Sequence, residues 1–346
     1  MTNFGFIGAG GMGKCHASLL NSIGGTRVAG IYDPVTGAAT EFAGLYSAKV
    51  FKSAEDLSRS PEIDAILICS PAFCHAPQVK LALESCKPVF CEKPLCLNAG
   101  DAAMLLALQR KYQQPFGMGF CRRMMSPVKR MKELLEAGTI GRIRFFNVDF
   151  PYGVYRRVPP SWFTDFDKCG GVIIDMLAHH VDLANWFFGP AQRVYADGLL
   201  LDPSQPEPAD YVAAVVTYDN GVIGNFMCNW QRFGRVGGRM EIYGENGSLT
   251  LDETQTLIYE PKNGVSQSVD IPENDMRLEL ILNFVESIRT GCQPAATLQD
   301  GFNSLQVGLA MIESVRTRQV VEFSGRYTAC VRTCRTFRIT RITCEG

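Results

Sequence analysis

Nothing at the start of the chain reads as a secretory leader: MTNFGFIGAG has no basic stretch followed by an apolar one and runs straight into a strand pattern. No apolar run approaches the ~20 residues that a membrane span needs, so no membrane partner is expected. Positive charge is not in surplus. There are 34 Lys and Arg against 35 Asp and Glu, a net charge of −1, which argues against nucleic acid as a partner. The thirteen cysteines contain no C-x-x-C pair, so zinc and thioredoxin-type chemistry are not expected, and no metal is. Most of them, such as Cys69, Cys86, Cys91 and Cys228, lie inside apolar segments and read as small core residues. The odd count and the missing framework point to a reducing, cytoplasmic compartment. Histidine is scarce too: the chain has 4, and His179 and His180 are half of them.

What is present begins with a length of 346 residues, which suggests about two domains. Asn3 to Ile7 is a short apolar strand pattern, followed by Gly8-Ala9-Gly10-Gly11-Met12-Gly13 and then apolar residues at helical spacing. Strand, G-x-G-x-x-G turn and helix form the context that this motif requires. The glycines allow a tight turn and close backbone approach to a pyrophosphate, and the helix start offers unpaired N–H groups. Arg27 to Tyr32 is a second strand ending in Asp33. An acid about 20 residues past the turn accepts both ribose hydroxyls and repels a 2′-phosphate, so NAD is expected over NADP. The blander reading of Asp33 is a turn residue before Pro34.

Strand and helix patterns keep alternating to Gly119, which implies right-handed crossovers and a parallel sheet. Ligands bind beyond the carboxyl ends of such strands. Three features fall there: Ser70-Pro71 with His75, Glu92-Lys93-Pro94, and Arg122-Arg123. Lys93 ends an apolar strand and precedes a proline, which restrains it toward extended backbone. An ammonium at that place can stabilise alkoxide character on a substrate oxygen; the plainer reading is a solvated lysine beside Glu92. His75 reads either as a cap of the next helix that touches the cofactor or as a satisfied structural histidine. His16, on the apolar stripe of the first helix, reads as structural.

The stretch GGVIIDMLAHHVD, residues 170–182, sets Asp175, His179 and Asp182 four and three residues apart. In a helix this spacing puts them on one face. An imidazole suits the proton transfer that accompanies alcohol oxidation, and a carboxylate one turn away can fix its tautomer. The alternative is a capped helix with polar residues facing water. Just upstream, YGVYRRVPPSWFTDFD mixes Tyr152, Tyr155, Arg156, Arg157 and Trp162, side chains that suit a polyhydroxylated ring on an irregular segment. From Arg142 onward strands dominate, with hairpin signals at Asp219-Asn220-Gly221 and Glu245-Asn246-Gly247. This half reads as α+β with a largely antiparallel sheet. Its helices are expected at 175–188, 277–290 and 301–317. Both faces of Tyr211 to Tyr218 are largely apolar, so one face can pack on helices and the other on another subunit.

These pieces together resemble the glucose–fructose oxidoreductase / inositol dehydrogenase / MocA (Gfo/Idh/MocA) family. The matching segments are GAGGMG at 8–13, SPAFCH at 70–75, CEKP at 91–94, GFCRR at 119–123, GGVIIDMLAHHVD at 170–182, WFFGP at 186–190 and LILNFVESIRTGCQP at 280–294. The resemblance implies an α/β protein: an N-terminal Rossmann domain with a doubly wound parallel sheet over 1–121, and a substrate-binding and oligomerisation domain over 122–323. The second domain is α+β with a large, mostly antiparallel open sheet that pairs subunits into homodimers or homotetramers. It implies NAD(P)-dependent oxidation of a secondary hydroxyl on a sugar or cyclitol, with Lys93, Asp175 and His179 as the catalytic set. Gly8, Gly10, Gly11, Met12, Gly13, Asp33, Ser70, Pro71, His75, Glu92 and Lys93 would meet the cofactor. Arg122, Tyr152, Tyr155, Arg156, Trp162 and His180 are the substrate candidates. The Lys93–Pro94 bond would be cis, as is usual at this family motif. His180 stands where the family usually has an apolar residue. The tail 324–346, rich in Arg and Thr, has no family counterpart; it fits a basic arm, a natural extension or an out-of-frame appendage, and the last is preferred. Two other functions compete: a glycosidase that uses transient oxidation by bound NAD, and a non-catalytic ligand sensor.

Overall fold

In the computed structural model, which describes residues 1–151, 161–203, 208–230 and 238–323, the chain divides into two units. The first comprises Met1–Cys121 and Asp275–Phe302; the second runs through Arg122–Asn274 and resumes at Asn303. The first unit alternates β1 (Thr2–Ile7), α1 (Gly11–Asn21), β2 (Thr26–Tyr32), α2 (Thr36–Tyr46), β3 (Lys49–Val50), α3 (Ala54–Arg59), β4 (Ala65–Ile68), α4 (His75–Glu84), β5 (Val89–Cys91), α5 (Ala99–Tyr112) and β6 (Phe116–Met118). The six strands pair in the order β3-β2-β1-β4-β5-β6, all parallel. The order reverses between β1 and β4, the place where open α/β sheets bind ligands. β4 reads Ala-Ile-Leu-Ile and all four residues are buried, as a central strand covered on both faces requires. Helix starts carry their own signals: Ser53 accepts from Asp56 N, and Asn98 from Asp101 N.

Backbone bonds set the residues just past the strand ends side by side. Cys69 N donates to Ile7 O, Glu92 N to Ile68 O and Gly119 N to Cys91 O, at 2.8, 2.9 and 2.8 Å. The loops after β1, β4, β5 and β6 therefore lie in one row.

The second unit begins with α6 (Ser126–Glu136) and β7 (Ile143–Pro151), then α7 (Phe166–Cys169), a π turn at Ile173–Leu177 and α8 (Ala178–Phe188). Strands follow: β8 (Ala191–Leu199), β9 (Tyr211–Tyr218), β10 (Ile223–Asn229), β11 (Arg239–Gly244), β12 (Gly247–Leu251), β13 (Leu257–Pro261) and β14 (Gln267–Ser268). After α9 (Met276–Thr290) and α10 (Leu298–Thr317), β15 (Val321–Glu322) completes a nine-stranded sheet in the order β14-β13-β12-β11-β7-β10-β9-β8-β15. Only β7 and β10 pair in parallel; the other pairs are antiparallel. The β9–β10 hairpin turns at Gly221, whose φ is +85°, while Asn220 Oδ1 accepts from Val222 N. One sheet face is the core. There Phe146 meets Phe226 and Phe188, and Phe188 meets Tyr218, at ring separations of 5.3–5.5 Å. Phe188 thus holds α8 against the sheet.

Three expectations need correction. The second domain was expected to run unbroken over 122–323, yet Asp275–Phe302 belongs to the first unit. Phe284 of α9 lies 5.7 Å from Phe90 of β5, Arg289 donates to Gly24 O, and Met118 N donates to Ala296 O. Its periodicity revealed an apolar face but not the sheet that covers it. The helix expected at 175–188 begins as a π turn and becomes α-helical only at Ala178. Cys91 and Cys228 are core residues, whereas Cys69 and Cys86 are half-buried. No helix among the described residues is long and apolar enough to cross a membrane.

Candidate functional site

The glycine turn is shaped by contacts that only glycine tolerates. Gly8 has φ +106°, and a Cβ there would lie 2.7 Å from Cys69 C and Ser70 N; one on Gly13 would lie 2.2 Å from Gly8 O. Gly10 and Gly11 differ: a Cβ on either meets nothing within 4 Å. Their surroundings are open space. No side chain caps the start of α1 and its first turn carries no acid, which leaves its N–H groups without a side-chain partner from the cap. Asp33, at the end of β2, accepts from Ala9 N through Oδ2 and from Val35 N through Oδ1, each at 2.8 Å. It is both the turn residue and a brace for the glycine loop. Each carboxylate oxygen retains a further lone pair.

The loops after β4 and β5 meet around two histidines. His75 opens α4 and is 1 % exposed. Its Nδ1 lies 2.6 Å from Pro94 O and its Nε2 2.9 Å from Ser70 O. Both ring nitrogens are therefore committed to backbone, which leaves no ring N–H for the cofactor contact expected of it. Burial pushes its pKa down; the two carbonyls and the Glu92 charge pull it up, and Lys93 lowers it again. The net direction is downward, toward the neutral ring, whose single N–H donates to one of the two carbonyls. Ser70 Oγ donates to Gln78 Oε1 at 2.5 Å. The Lys93–Pro94 bond is cis. Glu92 Oε1 lies 2.6 Å from Nε2 of His16, and Oε2 accepts from Lys93 N at 3.2 Å. Burial alone would raise the Glu92 pKa. The bond to His16, the His16 and Lys93 charges and the Lys93 N–H outweigh it and hold the carboxyl below its usual range.

In the second unit, Gly170 and Gly171 both take left-handed φ, +75° and +68°. Side chains from the π turn press on its surroundings. A Cβ on Gly170 would fall 2.6 Å from Ile174 Cβ, and one on Gly308 of α10 2.7 Å from Ile174 Cδ1. Ser304 Oγ donates to Ala178 O at 3.0 Å, fixing the start of α8 to α10. Every residue from Cys169 to Ala184 is buried except His179, which is half-buried. Asp175 is 6 % exposed and lies in the π turn, whose i→i+5 bonding widens the backbone, as it often does at functional sites. The one-face spacing assumed an α-helical repeat through Asp175, and this is not what forms there. Asp182, expected on that face, instead pairs with Arg123: Nε donates to Oδ2 at 2.8 Å and Nη2 to Oδ1 at 2.6 Å, with both side chains buried.

His180 is buried, unlike its half-buried neighbour His179. It is 3 % exposed, its ring centroid lies 4.3 Å from that of Phe150, and its Nδ1 has no hydrogen-bond partner among the described residues. Arg122 covers the same Phe150 ring at 4.6 Å. Burial first, and the Arg122 charge second, push the His180 pKa well below its ordinary value. The unfolded chain thus binds a proton below about pH 6.5 that the folded chain refuses. Stability is therefore complete above that pH and falls as pH drops through the unfolded-state value toward the folded one. Replacing His180 with leucine should flatten this acid limb, removing up to about 1.4 kcal/mol per pH unit of the slope. Urea unfolding at pH 8 and pH 5 measures it; an unchanged slope would mean that His180 carries its proton in the fold.

Trp162 stacks on Phe163 at 3.7 Å. Tyr152, Tyr155, Arg156 and Arg157, and the tail 324–346, lie outside the described residues. Two pairings had no sequence signal, because their partners stand 76 residues apart for His16–Glu92 and 59 apart for Arg123–Asp182.

Comparison with known proteins identifies the family of both units. Residues 2–120 match the family model described as an oxidoreductase family with an NAD-binding Rossmann fold. Residues 128–250 match the GFO/IDH/MocA C-terminal domain. The uncharacterized oxidoreductase YrbE of Bacillus subtilis (strain 168) is 30 % identical over 324 residues, covering 90 % of this chain and 93 % of that one. Myo-inositol 2-dehydrogenase of Thermotoga maritima is 28 % identical over 330 residues, covering 92 % and 97 %. A solved levoglucosan dehydrogenase in complex with NADH superposes with a TM-score of 0.85 at 21 % identity, covering 93 % of this chain and 98 % of that one.

Proposed function

The chain belongs to the Gfo/Idh/MocA family of oxidoreductases, and we propose that it is an NAD-dependent dehydrogenase oxidising a secondary hydroxyl of a sugar, sugar derivative or cyclitol. The observation that carries this reading is His179, the one half-buried residue in the otherwise buried run 169–184. The names of the inositol and levoglucosan dehydrogenases support a polyhydroxylated ring as substrate.

The residues fit a dinucleotide. The open space at Gly10 and Gly11 and the uncapped start of α1 suit a pyrophosphate, and Asp33 suits the ribose hydroxyls. Gly8, Met12 and Gly13 shape the turn, and Ser70, Pro71 and Glu92 line the adjoining loops. Bound there, the nicotinamide supplies the hydride acceptor. His179 takes the hydroxyl proton as general base, and the buried Asp175 orients the ring and favours its cationic form. Lys93 donates to the reacting oxygen and stabilises its developing charge. His75 acts through the loops it binds rather than by touching the cofactor. Arg122 and Trp162, together with Tyr152, Tyr155 and Arg156, recognise substrate; His180, buried against Phe150, shapes the wall behind Arg122.

NAD should bind more tightly than NADP, because Asp33 is an acidic residue followed by Pro34, Val35 and Thr36 rather than by an arginine. Exchanging Asp33 for serine removes charged hydrogen bonds worth about 1.5–3 kcal/mol, roughly 10- to 100-fold in NAD affinity. Adding arginine at position 34 should shift preference to NADP. Tighter NADP binding by the unaltered protein, in a fluorescence titration, would contradict the role given to Asp33.

The second sheet leaves Tyr195, Val215, Ile223 and Tyr243 exposed on its open face, an apolar surface suited to a homodimer or homotetramer. Light scattering tests this. Among the described cysteines nine are free thiols and Cys86 is disulfide-bonded; whether the protein resides in a reducing cytoplasm is tested by cell fractionation. The function itself is tested by NAD reduction against inositols, aldoses, sugar acids and glycosides. Net NADH from a polyol supports a dehydrogenase. Aglycone release without net NADH would make it a hydrolase, and ligand binding without either would make it a sensor.

A further inference from the structure

Lys93 is bracketed by two residues, each tied to a buried histidine. Before it, Glu92 bonds His16 through Oε1 and the Lys93 N–H through Oε2. After it, Pro94 O lies 2.6 Å from His75 Nδ1. His16 and His75 are 0 % and 1 % exposed. They come from different places: His16 from α1, directly behind the glycine turn, and His75 from the start of α4, where its Nε2 lies 2.9 Å from Ser70 O. Packing closes the rest. The Phe90 ring meets the His16 ring edge at 5.2 Å, and a Cβ on Gly119 would fall 2.7 Å from Glu92 Oε2.

We infer that His16 and His75 are positioning residues that fix the backbone on either side of Lys93, so that its ammonium is held at one place relative to the glycine turn and the β4 loop. This rests on the role proposed above for Lys93. A half-buried carboxylate and a buried carbonyl each call for a donor, and a rigid ring supplies it without the rotamer freedom of a longer side chain. Misplacing a reacting group by about 1 Å is enough to cost roughly 100-fold in rate.

The two rings use different nitrogens toward the lysine, and this gives the test. A glutamine amide reaches the position of Nε2, whereas an asparagine amide reaches that of Nδ1. His16→Gln should therefore keep the Glu92 bond and His16→Asn lose it. At position 75 the order inverts: His75→Asn keeps the Pro94 bond, and His75→Gln keeps only the Ser70 bond. Competitive labelling with acetic anhydride reads the Lys93 amine without any substrate. Lys87, buried and bonded to Ser60 O and Ile63 O, reports general loosening of the same unit. His16→Asn and His75→Gln should label several-fold faster at Lys93 with Lys87 unchanged, while His16→Gln and His75→Asn stay close to the parent rate. Hydride transfer from myo-inositol, or from a polyol selected by the reduction screen, measured per molecule of bound NAD, should fall roughly 10- to 100-fold in the first pair and be largely retained in the second. Equal labelling by all four variants, or Lys87 rising in step with Lys93, overturns the inference. A Lys93→Met variant with full turnover refutes the lysine's catalytic role instead, and the labelling pattern still decides whether the histidines fix it.

Discussion

Exchanging His179 for alanine is expected to slow hydride transfer by ~10²–10⁴-fold, the usual contribution of a positioned acid/base group. NAD affinity should stay near the parent value, because the glycine turn, Asp33 and the start of α1 belong to the first unit and His179 to the second. The fold should survive as well. His179 is half-buried, and the π turn before it is held by Ile174 against Gly170 and Gly308, with Ala178 O bonded to Ser304. His180→Ala should affect turnover less, since its ring packs on Phe150 within the core. Single-turnover measurements with both variants distinguish them. Near-normal transfer by the first with none by the second would move the catalytic role to His180. Near-normal transfer by both would leave Lys93 as the better candidate for the base.

Breaking the Arg123–Asp182 pair should produce the largest stability loss. Both side chains are almost fully buried, at 3 % and 1 % exposure, and the fork is bidentate. Arg123→Met leaves the Asp182 carboxylate buried without its main counter-charge, a change that typically costs about 3–5 kcal/mol. Arg123 also covers the Trp186 ring at 5.3 Å, which methionine can fill, so most of the loss should be electrostatic. The double variant Arg123→Met/Asp182→Leu should recover much of it, because removing both charges also removes their desolvation. Arg123→Lys should not, since an ammonium cannot reproduce the fork. Denaturant midpoints of the parent, Arg123→Met, Asp182→Leu and the double variant form the cycle, with Arg123→Lys measured beside it. A loss below about 1 kcal/mol in Arg123→Met would mean that water reaches the pair after all.

Much of this protein was determined locally, and local features are legible in a sequence. The turn Gly8–Gly13 was readable because its glycines answer to backbone angles and contacts within the turn or one strand away. Asp33, Lys93 and the β9–β10 hairpin were readable because each follows directly from the end of an apolar strand. The parallel and antiparallel halves followed from the way strand and helix patterns alternate or cluster. The tertiary structure decided what depends on register between distant segments. It gave α9 to the first unit, paired His16 with Glu92 and Arg123 with Asp182, and committed both nitrogens of His75 to backbone. It also widened the helix at Asp175 into a π turn. The physical reason is common to these cases. Periodicity and residue type establish that a face is apolar or that a polar group needs a partner. Which group lies opposite is set only when sheets and helices pack, and hydrogen bonds of under 3 Å depend on that packing to within a fraction of their own length.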